Sequence, residues 1–433
     1  MRDKQHIVIV GGGFGGAALT RILQKHGQLF DVTLLSEESY TTFSPMLAEV
    51  VGATVFPEHV IAPLRETVGK ARFIMGRVFG IDFANKRVHC STLKGDMSLD
   101  YDQVVLAFGN RARVDMIPGM AEHALVLKTI GDAMHIRNLI LRQIARIELE
   151  TDTALRSRLG HFVVIGGGFS GVETAGAIMD CLRGVNHYYP RVAASELKVT
   201  LLHNLDTLLP ELPPALGRAA ERSLIARGVS VMLKTSAMEI DAMSVRLDHG
   251  ATLECATTIC TIGTQSNALG ARLVGIRRER GRIVCDADLS VNGINGAWAI
   301  GDCALIQNHR QPTGEPEYAA PTAQFAVAEA HRLAANILAR ARNQPTQAFA
   351  YRSRGMMATV GHLKGVAQVF GLNMSGFIAW LIWRAYYLSQ MPTFGRKLRI
   401  WVEWSWGMFF RPDITHFRFT RSHEFLQQDE EKQ

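Results

Sequence analysis

A glycine-rich turn that follows an apolar strand occurs twice in this chain and constrains the fold more than any other feature. The first copy reads HIVIVGGGFGG over residues 6–16, and the second reads HFVVIGGGFSG over residues 161–171. Glycine permits the tight turn and the close approach of a pyrophosphate, and the helix that follows offers free N–H groups to the anion. Each copy therefore predicts a dinucleotide-binding βαβ unit, with a glycine-rich turn that binds no ligand as the alternative.

Two copies in one chain predict two bound dinucleotides, most simply one flavin and one nicotinamide. The residues expected to border the first are Gly11, Gly13, Phe14, Gly15 and Gly16, and those expected to border the second are Gly166, Gly168 and Gly171.

The strand after each glycine motif should end in an acid that holds a ribose hydroxyl group. In the first unit the candidates are Ser36 and Glu37, whereas the second unit has His203 at this place. A carboxylate would repel a 2′-phosphate and a histidine would not, so NADPH stays open as an alternative to NADH. The other interpretation of His203 is an exposed strand-end residue without a ligand.

Composition excludes several other classes of protein. The chain has 433 residues, of which 47 % are hydrophobic and 20 % charged, so disorder of the whole chain is excluded. Six cysteines without a CxxC pair give no support for a disulfide scaffold or a zinc ribbon, and no metal site is expected. The formal net charge of +7 does not by itself predict nucleic-acid binding.

The first residues lack the apolar segment of a signal peptide, so we expect a cytosolic location.

Asp302 comes directly after the apolar segment 297–300 and its terminal glycine. A carboxylate on a turn after a buried strand suits a ribityl or other polyol hydroxyl group. The alternative is that Asp302 caps the N-terminus of a helix.

With three further segments, 107–109 (AFG), 261–263 (TIG) and 299–304 (AIGDCA), the chain resembles the two-dinucleotide-binding-domain flavoproteins. The narrower resemblance, over nearly the whole chain, is to type II NADH:quinone oxidoreductases, the single-subunit respiratory NADH dehydrogenases. It rests on residues 41–47 (TTFSPML), 168–176 (GFSGVETAG), 321–326 (PTAQFA), 357–361 (MATVG) and 376–383 (GFIAWLIW).

The resemblance implies an α/β fold of two Rossmann-like domains, in which an NAD(P)H domain interrupts an FAD domain. The expected boundaries are 1–116 and 271–345 for the FAD domain, 117–270 for the NAD(P)H domain, and 346–433 for C-terminal strands and membrane-anchoring amphipathic helices. The further positions that the resemblance assigns to cofactor binding are Val78, Ala107, Gly109, Gly263, Asp302 and Ala323.

The resemblance also assigns the catalytic positions. It places Glu173 between nicotinamide and flavin, where the first copy of the repeat has Ala18; the alternative is that Glu173 stabilises the helix dipole from the first turn. Gln324 is expected at the flavin and the quinone. The quinone-site motif of the family, AQxAxQQ, becomes AQFAVAE over residues 323–329. Ala328 makes no polar contact, whereas Glu329 could still accept a proton or a hydrogen bond from the quinone.

Five of the six tryptophans lie between residues 380 and 406. The apolar run 377–388 would extend only about 18 Å as a helix, which is short of a hydrocarbon core of about 30 Å. In the segment 396–410 one helical face is expected to hold Leu398, Trp401, Val402, Met408 and Phe409, and another Arg396, Arg399 and Glu403. This pattern favours a helix that lies in the headgroup plane of a membrane, with packing on the core or in a dimer as the alternative.

The sequence thus predicts a peripheral enzyme on the cytoplasmic face of the membrane that uses FAD to pass electrons from NADH to a quinone without pumping protons. The expected partners are a membrane quinone and an anionic lipid surface; nucleic acid is not expected, and a homodimer stays open. One rival is a sulfide:quinone oxidoreductase, which needs paired cysteines near the flavin, whereas Cys255 and Cys260 lie in a strand of the second unit. The other rival is a membrane-bound flavoprotein that senses NAD(P)H with little turnover.

Overall fold

The computed structural model describes residues 4–309, 317–391, 393–411 and 413–416. The strands, in chain order, are β1 (Gln5–Val10), β2 (Phe30–Ser36), β3 (Tyr40–Thr42), β4 (Ile61–Pro63), β5 (Arg72–Asp82), β6 (Arg87–Thr92), β7 (Gly95–Asp100), β8 (Gln103–Leu106), β9 (Asn110–Ala112), β10 (Ala124–Val126), β11 (His161–Ile165), β12 (Lys198–Leu202), β13 (Val229–Met232), β14 (Ala237–Asp241), β15 (Ser244–Leu247), β16 (Thr252–Glu254), β17 (Thr257–Cys260), β18 (Thr264–Ser266), β19 (Arg278–Glu279), β20 (Arg282–Val284), β21 (Ala297–Ala299), β22 (Ala304–Leu305), β23 (Gly355–Thr359), β24 (Gly365–Val369) and β25 (Leu372–Gly376).

The α-helices are α1 (Phe14–Leu23), α2 (Leu47–Val51), α3 (Leu64–Thr67), α4 (Met120–His123), α5 (Ile130–Leu149), α6 (Thr153–Leu159), α7 (Phe169–Asn186), α8 (Pro214–Ala226), α9 (Ala268–Arg272), α10 (Ala323–Ala341), α11 (Phe377–Gln390) and α12 (Phe394–Trp406).

The first sheet has seven strands in the order β21-β8-β1-β2-β5-β6-β7. Its central strand β1 pairs in parallel with β2 and β8, so that Val10 lies opposite both Leu35 and Leu106. The last four residues of β1 are buried without alternation, as expected for a parallel strand that is covered on both faces. β21 follows the second glycine unit in the chain and still joins this sheet through β8. The sheet is therefore built from two separated parts of the chain.

The second sheet has five parallel strands in the order β10-β17-β11-β12-β13. These strands lie between residues 124 and 260, inside the predicted interval 117–270. β9 and β18 pair antiparallel with Ala112 opposite Thr264, so the chain leaves and re-enters the first unit side by side. The two sheets confirm the predicted α/β fold with two Rossmann-like units, while the boundaries assigned to the domains stay predictions.

The C-terminal part contains the antiparallel sheet β23-β24-β25, followed by α11 and α12. The helical positions expected for Met408 and Phe409 are wrong, because α12 ends at Trp406 and is capped by Gly407. No helix in the described part of the chain is long and apolar enough to cross a membrane. The polar, acidic tail after residue 416 lies outside the described residues.

One hydrophobic core joins the second unit to the C-terminal helices. Val50 of α2 and Ile178 of α7 share this core with Trp383 of α11 and with Ile400 and Trp404 of α12. Replacing a buried tryptophan by alanine typically costs about 3–5 kcal/mol, so these contacts fix both helices firmly. One side of α12 is thus packed on the protein body, as the alternative to a membrane helix requires, while the opposite side remains exposed.

Candidate active site

A cavity of about 1140 Å³ lies between the starts of α1, α7 and α10 and the side of α11. Its wall includes Phe14 of α1, Glu173 of α7 and Gln324 of α10, together with Gly263 and Tyr387. The fold therefore brings residues of both glycine units and of the C-terminal helices to one cavity.

The first glycine turn is shaped for the close approach of a ligand. Gly11 has φ of +114°, and a Cβ atom on it would lie 2.3 Å from the carbonyl oxygen of Ala107. A Cβ atom on Gly16 would lie 1.9 Å from the oxygen of Gly11, whereas nothing lies within 4 Å of one on Gly13. No side chain caps α1, which begins at Phe14, so its first N–H groups point into this open space. The turn fits an anionic pyrophosphate group.

The second glycine turn repeats this geometry. Gly166 has φ of +117°, and a Cβ atom on Gly171 would lie 1.7 Å from the oxygen of Gly166. Gly168 again has open space beside it and forms the N-cap of α7 without a side-chain hydrogen bond. The residues that correspond to those of the first turn therefore also leave room for a pyrophosphate in the second unit.

The ends of β2 and β12 both lie next to a glycine turn, but they differ in detail. Ser36 borders the first turn, since a Cβ atom on Gly12 would lie 2.7 Å from its Oγ. Glu37 is exposed and forms an ion pair with Arg111 at 3.4 Å. The ribose contacts expected for Ser36 and Glu37 stay predictions.

His203 is not an exposed strand-end residue, so that interpretation is wrong. Its side chain is buried beneath the second turn, and its Nδ1 accepts a hydrogen bond from the Gly167 N–H at 3.1 Å. Burial lowers the pKa of His203, so the ring is neutral at pH 7 and carries its proton on Nε2. A ribose contact from this ring stays a prediction.

Asp302 lies in a short 3₁₀ turn, Gly301–Cys303, directly after β21. The N-cap of that turn is Ile300 and that of α10 is Thr322, so the interpretation of Asp302 as a helix cap is wrong. Burial raises the pKa of Asp302, and the charges of Lys128 and Arg282 act in the opposite direction. Its carboxylate accepts no hydrogen bond from the described residues and is free to accept one from a ligand hydroxyl group.

Three other predicted positions, Ala107, Gly109 and Val78, are not among the residues that line the cavity. Ala107 ends the strand region beneath Gly11, and Gly109 follows it with φ of +63° and open space beside it. Val78 pairs with Cys90 in the β5–β6 hairpin and packs against the core of the first unit. The structure does not bring Val78 to this cavity, and its cofactor contact stays a prediction.

Glu329 does not face the cavity, which corrects its assignment to the quinone. Its side chain is 2 % exposed, and Oε2 accepts a hydrogen bond from the Gly301 N–H at 2.7 Å. Successive helical residues point about 100° apart, so Ala328 lines the cavity while Glu329 turns toward the Asp302 turn. Burial raises the pKa of Glu329 to about 7.

Gln324 lies on the cavity wall in the first turn of α10, beside Ala323. Its Nε2 donates to the Ser353 Oγ at 3.0 Å and to the Gly355 carbonyl oxygen at 3.3 Å. The Tyr351 hydroxyl donates to its Oε1 at 3.3 Å. These contacts fix the orientation of the amide and leave Oε1 with a second acceptor site.

Glu173 is a buried carboxyl group on the cavity wall, 8 % exposed. It is the fifth residue of α7, beyond the first turn, so the helix-dipole interpretation is wrong. Its Oε1 accepts a hydrogen bond from the Thr359 N–H at 3.0 Å. Burial, with a smaller contribution from the charge of Glu49, raises the pKa of Glu173 to about 8. The group therefore holds a proton through most of the neutral range.

Sequence reasoning missed three residues that shape the cavity. Thr41 donates from Oγ1 to the Gly12 carbonyl oxygen at 2.6 Å and so holds the first turn; its place in the motif 41–47 was the available signal. Lys128 lines the wall and binds the side chain of Asn110. Tyr387 packs edge-on against Phe43, with ring centroids 5.7 Å apart. Neither Lys128 nor Tyr387 carries a local sequence signal.

The pyridine nucleotide-disulphide oxidoreductase family matches residues 5–330, and the chain belongs to this family. It is 29 % identical over 428 residues to the type II NADH:quinone oxidoreductase NdhA of Mycobacterium tuberculosis, covering 94 % of this chain and 87 % of that protein. It is 27 % identical over 424 residues to a probable NADH dehydrogenase of Dictyostelium discoideum, covering 96 % and 92 %. These relatives confirm the resemblance that the motifs indicated.

The structure of NDH2 from Plasmodium falciparum in complex with NADH is similar in fold. The TM-score is 0.88 at 20 % sequence identity, and the match covers 95 % of this chain and 100 % of that one.

Proposed function

We propose that this chain is an NADH:quinone oxidoreductase of type II, which uses FAD to carry electrons from NADH to a membrane quinone. One observation carries the proposal: a single cavity joins both glycine units to a buried, proton-holding carboxyl group and an oriented amide, Glu173 and Gln324. His203 places no negative charge near a 2′-phosphate, so NADPH is a second donor to be tested.

FAD, when bound, accepts a hydride from the nicotinamide and passes two electrons on. In the first unit, the open side of Gly13 and the uncapped start of α1 would hold the pyrophosphate. The carboxylate of Asp302, which has no hydrogen-bond partner among the described residues, would accept a hydrogen bond from a ribityl hydroxyl group. Ala323 presents the uncapped N-terminus of α10 to the cavity, where the positive end of the helix dipole favours negative charge.

Glu173 and Gln324 have complementary roles in the proposed reaction. Because Oε1 of Glu173 accepts from Thr359, its proton resides on Oε2, from which it is donated as the acceptor is reduced. The free acceptor site on Oε1 of Gln324 receives the hydroxyl group of the quinol product.

The cysteines favour a nicotinamide donor over sulfide. All six are free, and Cys260 alone among them lines the described cavity. Burial raises the pKa of Cys260 to about 12, so it is not a thiolate at neutral pH. A sulfide:quinone oxidoreductase needs two reactive cysteines at the flavin, and this wall offers one unreactive thiol.

The exposed apolar side of α12 supports peripheral attachment to a membrane, and we propose the cytoplasmic face as the side of attachment. Leu398, Trp401 and Val402 are each more than half exposed, and Phe409 just beyond the helix is 81 % exposed. Arg399 is exposed on the same helix and suits an anionic lipid surface.

Anaerobic mixing tests the electron-transfer function directly. The purified yellow protein is mixed with NADH, NADPH or sulfide, and a quinone is then added while the flavin absorbance is followed. We expect NADH to bleach the flavin and quinone to restore the colour rapidly. Bleaching by sulfide alone would establish the first rival, and slow reoxidation by every quinone would establish a sensor with little turnover.

Vesicle binding tests the membrane attachment. Arg399→Glu removes one positive charge and adds a negative one, which should weaken binding to anionic vesicles by about 1–2 kcal/mol. Arg342→Glu, an exposed position after α10, is the matched control and should bind normally. Equal binding by both variants and the wild type would overturn the attachment through α12. Truncation before α11 is unsuitable because it removes Tyr387 from the cavity wall.

A further inference from the structure

A buried polar cluster connects α2, α11 and α12 behind the cavity. The Trp404 Nε1 donates to the Glu49 Oε2 at 2.7 Å, and the Arg384 Nη2 lies 3.8 Å from the Glu49 Oε1. Arg384 also donates to the Trp404 carbonyl oxygen at 3.1 Å. Its guanidinium carbon lies 3.8 Å from the ring centroid of Trp380 and 4.8 Å from that of Trp404. Glu49 therefore has a partner on each of the two C-terminal helices.

The helix that carries this glutamate packs on the helix that carries the cavity carboxyl group. α2 packs directly on α7, since a Cβ atom on Gly52 would lie 3.1 Å from the Cβ of Ala177. Glu49 precedes Gly52 by about one helical turn, and Glu173 precedes Ala177 by one turn. The two tryptophans of α11 and α12 also connect them: Trp404, which donates to Glu49, packs on Trp383 with ring centroids 5.9 Å apart, and Trp383 lies next to Glu173. Two like charges so placed disfavour each other, and Glu49 accordingly contributes to the raised pKa of Glu173, after burial.

We propose that Glu49 is a positioning residue for Glu173. Its hydrogen bond to Trp404 couples the position of α12 to the ionisation of Glu173 on the cavity wall. The inference rests on the proposed function, because it assigns to Glu173 a proton that the reaction uses.

The direction of the coupling follows from the partners of Glu49. Burial raises the pKa of Glu49, while Arg384 and the N–H of Trp404 lower it. Without the Trp404 donor, Glu49 would keep its proton to higher pH and carry less negative charge. Glu173 would then ionise at lower pH, because the repulsion that opposes its ionisation is reduced.

Other groups face these two carboxyl groups and remain in place in the test. Thr359 of β23 and Tyr387 of α11 lie next to Glu173. Glu403 of α12 acts on Glu49 and is held by His59, with Nδ1 and Oε1 2.9 Å apart.

Three variants separate the coupling from a general loosening of α12. Glu49→Gln removes the charge and keeps the shape. Trp404→Phe keeps a buried aromatic ring and removes the N–H group together with the five-membered ring that carries it. Trp401→Phe is the matched control, because Trp401 lies one turn earlier on the same helix and is 55 % exposed.

The readout is the pH midpoint of the Glu173 carboxyl group in the FAD-loaded protein. It is measured from the infrared C=O band that disappears in Glu173→Gln, with retained flavin as the folding check. We expect Glu49→Gln to lower this midpoint, because it removes the charge that opposes the ionisation of Glu173. Trp404→Phe should lower it in the same direction by less, and Trp401→Phe should leave it unchanged.

An unchanged midpoint in Glu49→Gln would overturn the inference, as would equal shifts in the two tryptophan variants. The infrared titration needs no quinone turnover. If the wild type fails to reduce quinone, the proposed function fails, and the midpoint still decides whether Glu49 acts on Glu173.

Discussion

The two glycine-rich turns share one backbone design and differ in the side chains placed around it. Gly11 and Gly166 have nearly the same positive φ, and Gly16 and Gly171 both leave no room for a Cβ atom. The fifth residue of the following helix is Ala18 in the first unit and a buried glutamic acid in the second. The shared backbone leaves room for a pyrophosphate in both units, and the difference places a proton-holding group in only one of them.

A second difference lies beneath the turns. Ser36 borders Gly12 in the first unit, whereas the buried ring of His203 accepts a hydrogen bond from Gly167 in the second. One backbone can therefore be supported by a small hydroxyl side chain or by a neutral imidazole. These side chains, rather than the glycines, distinguish the two dinucleotide sites.

The largest expected effect is a selective loss of one dinucleotide. Gly171→Ala places a Cβ atom 1.7 Å from the Gly166 oxygen, so the second turn must deform, at a cost of about 3 kcal/mol or more. NADH affinity should collapse while FAD is retained, and Gly16→Ala should show the reverse pattern. Gly131→Ala is the control, because Gly131 is an exposed helical glycine of α5 outside both glycine turns and a Cβ atom on it would meet only an ordinary contact at 3.6 Å. Isothermal titration calorimetry with NADH measures the affinity of the second site, and the flavin content of the purified protein reports on the first. Loss of both ligands in both variants would contradict the separation of the sites.

The next effect concerns the proton on Glu173. Its folded pKa is about 8 and an unfolded glutamate ionises near 4.5, so the stabilisation by this proton is complete below about pH 4.5 and is lost as pH rises toward 8. Relative to Glu173→Gln, the free energy of unfolding of the wild type should fall by up to about 1.4 kcal/mol per pH unit in this interval. Tm measured from pH 5 to 8 checks this, with exposed Glu122→Gln as control. Parallel Tm profiles of wild type and Glu173→Gln would contradict the assignment.

The turns and the two-unit architecture could be predicted because glycine conformation and apolar strands determine them locally. The orientation of Glu329 could not, because it depends on which face of α10 packs toward the first sheet. The contact between Glu49 and Trp404 joins residues 355 positions apart and has no local signal either. The same reason explains why Tyr387 was missed: its helix was predicted, whereas its position on the cavity wall follows only from tertiary packing.

A smaller effect is expected at the flavin-binding turn. Asp302→Ala removes an acceptor for a ligand hydroxyl group, and a charge-assisted bond of this kind contributes about 1.5–3 kcal/mol. FAD should therefore be lost more readily on dilution, with exposed Asp96→Ala as the control. Unchanged FAD affinity, measured by fluorescence recovery of the released flavin, would remove Asp302 from the site.

The smallest expected effect tests the difference between the side chains that lie beneath the two glycine-rich turns. His203→Glu places a carboxylate where the second unit has a neutral ring, which should disfavour a 2′-phosphate. The ratio of kcat/KM for NADPH to that for NADH should fall several-fold, while Ser36→Ala in the first unit leaves it unchanged. An unaltered ratio in His203→Glu would show that this position does not discriminate between the ribose 2′-hydroxyl group and a 2′-phosphate.

Stopped-flow spectroscopy of Gln324→Leu tests the central claim most directly, namely that one cavity serves both half-reactions through different residues. Flavin reduction by NADH should proceed at the wild-type rate, because Gln324 lies on α10 and not in the second glycine unit. Reoxidation by quinone should slow at least tenfold, which corresponds to the loss of about 1.4 kcal/mol of transition-state stabilisation. Unchanged reoxidation, or an equal slowing of both steps, would contradict the claim.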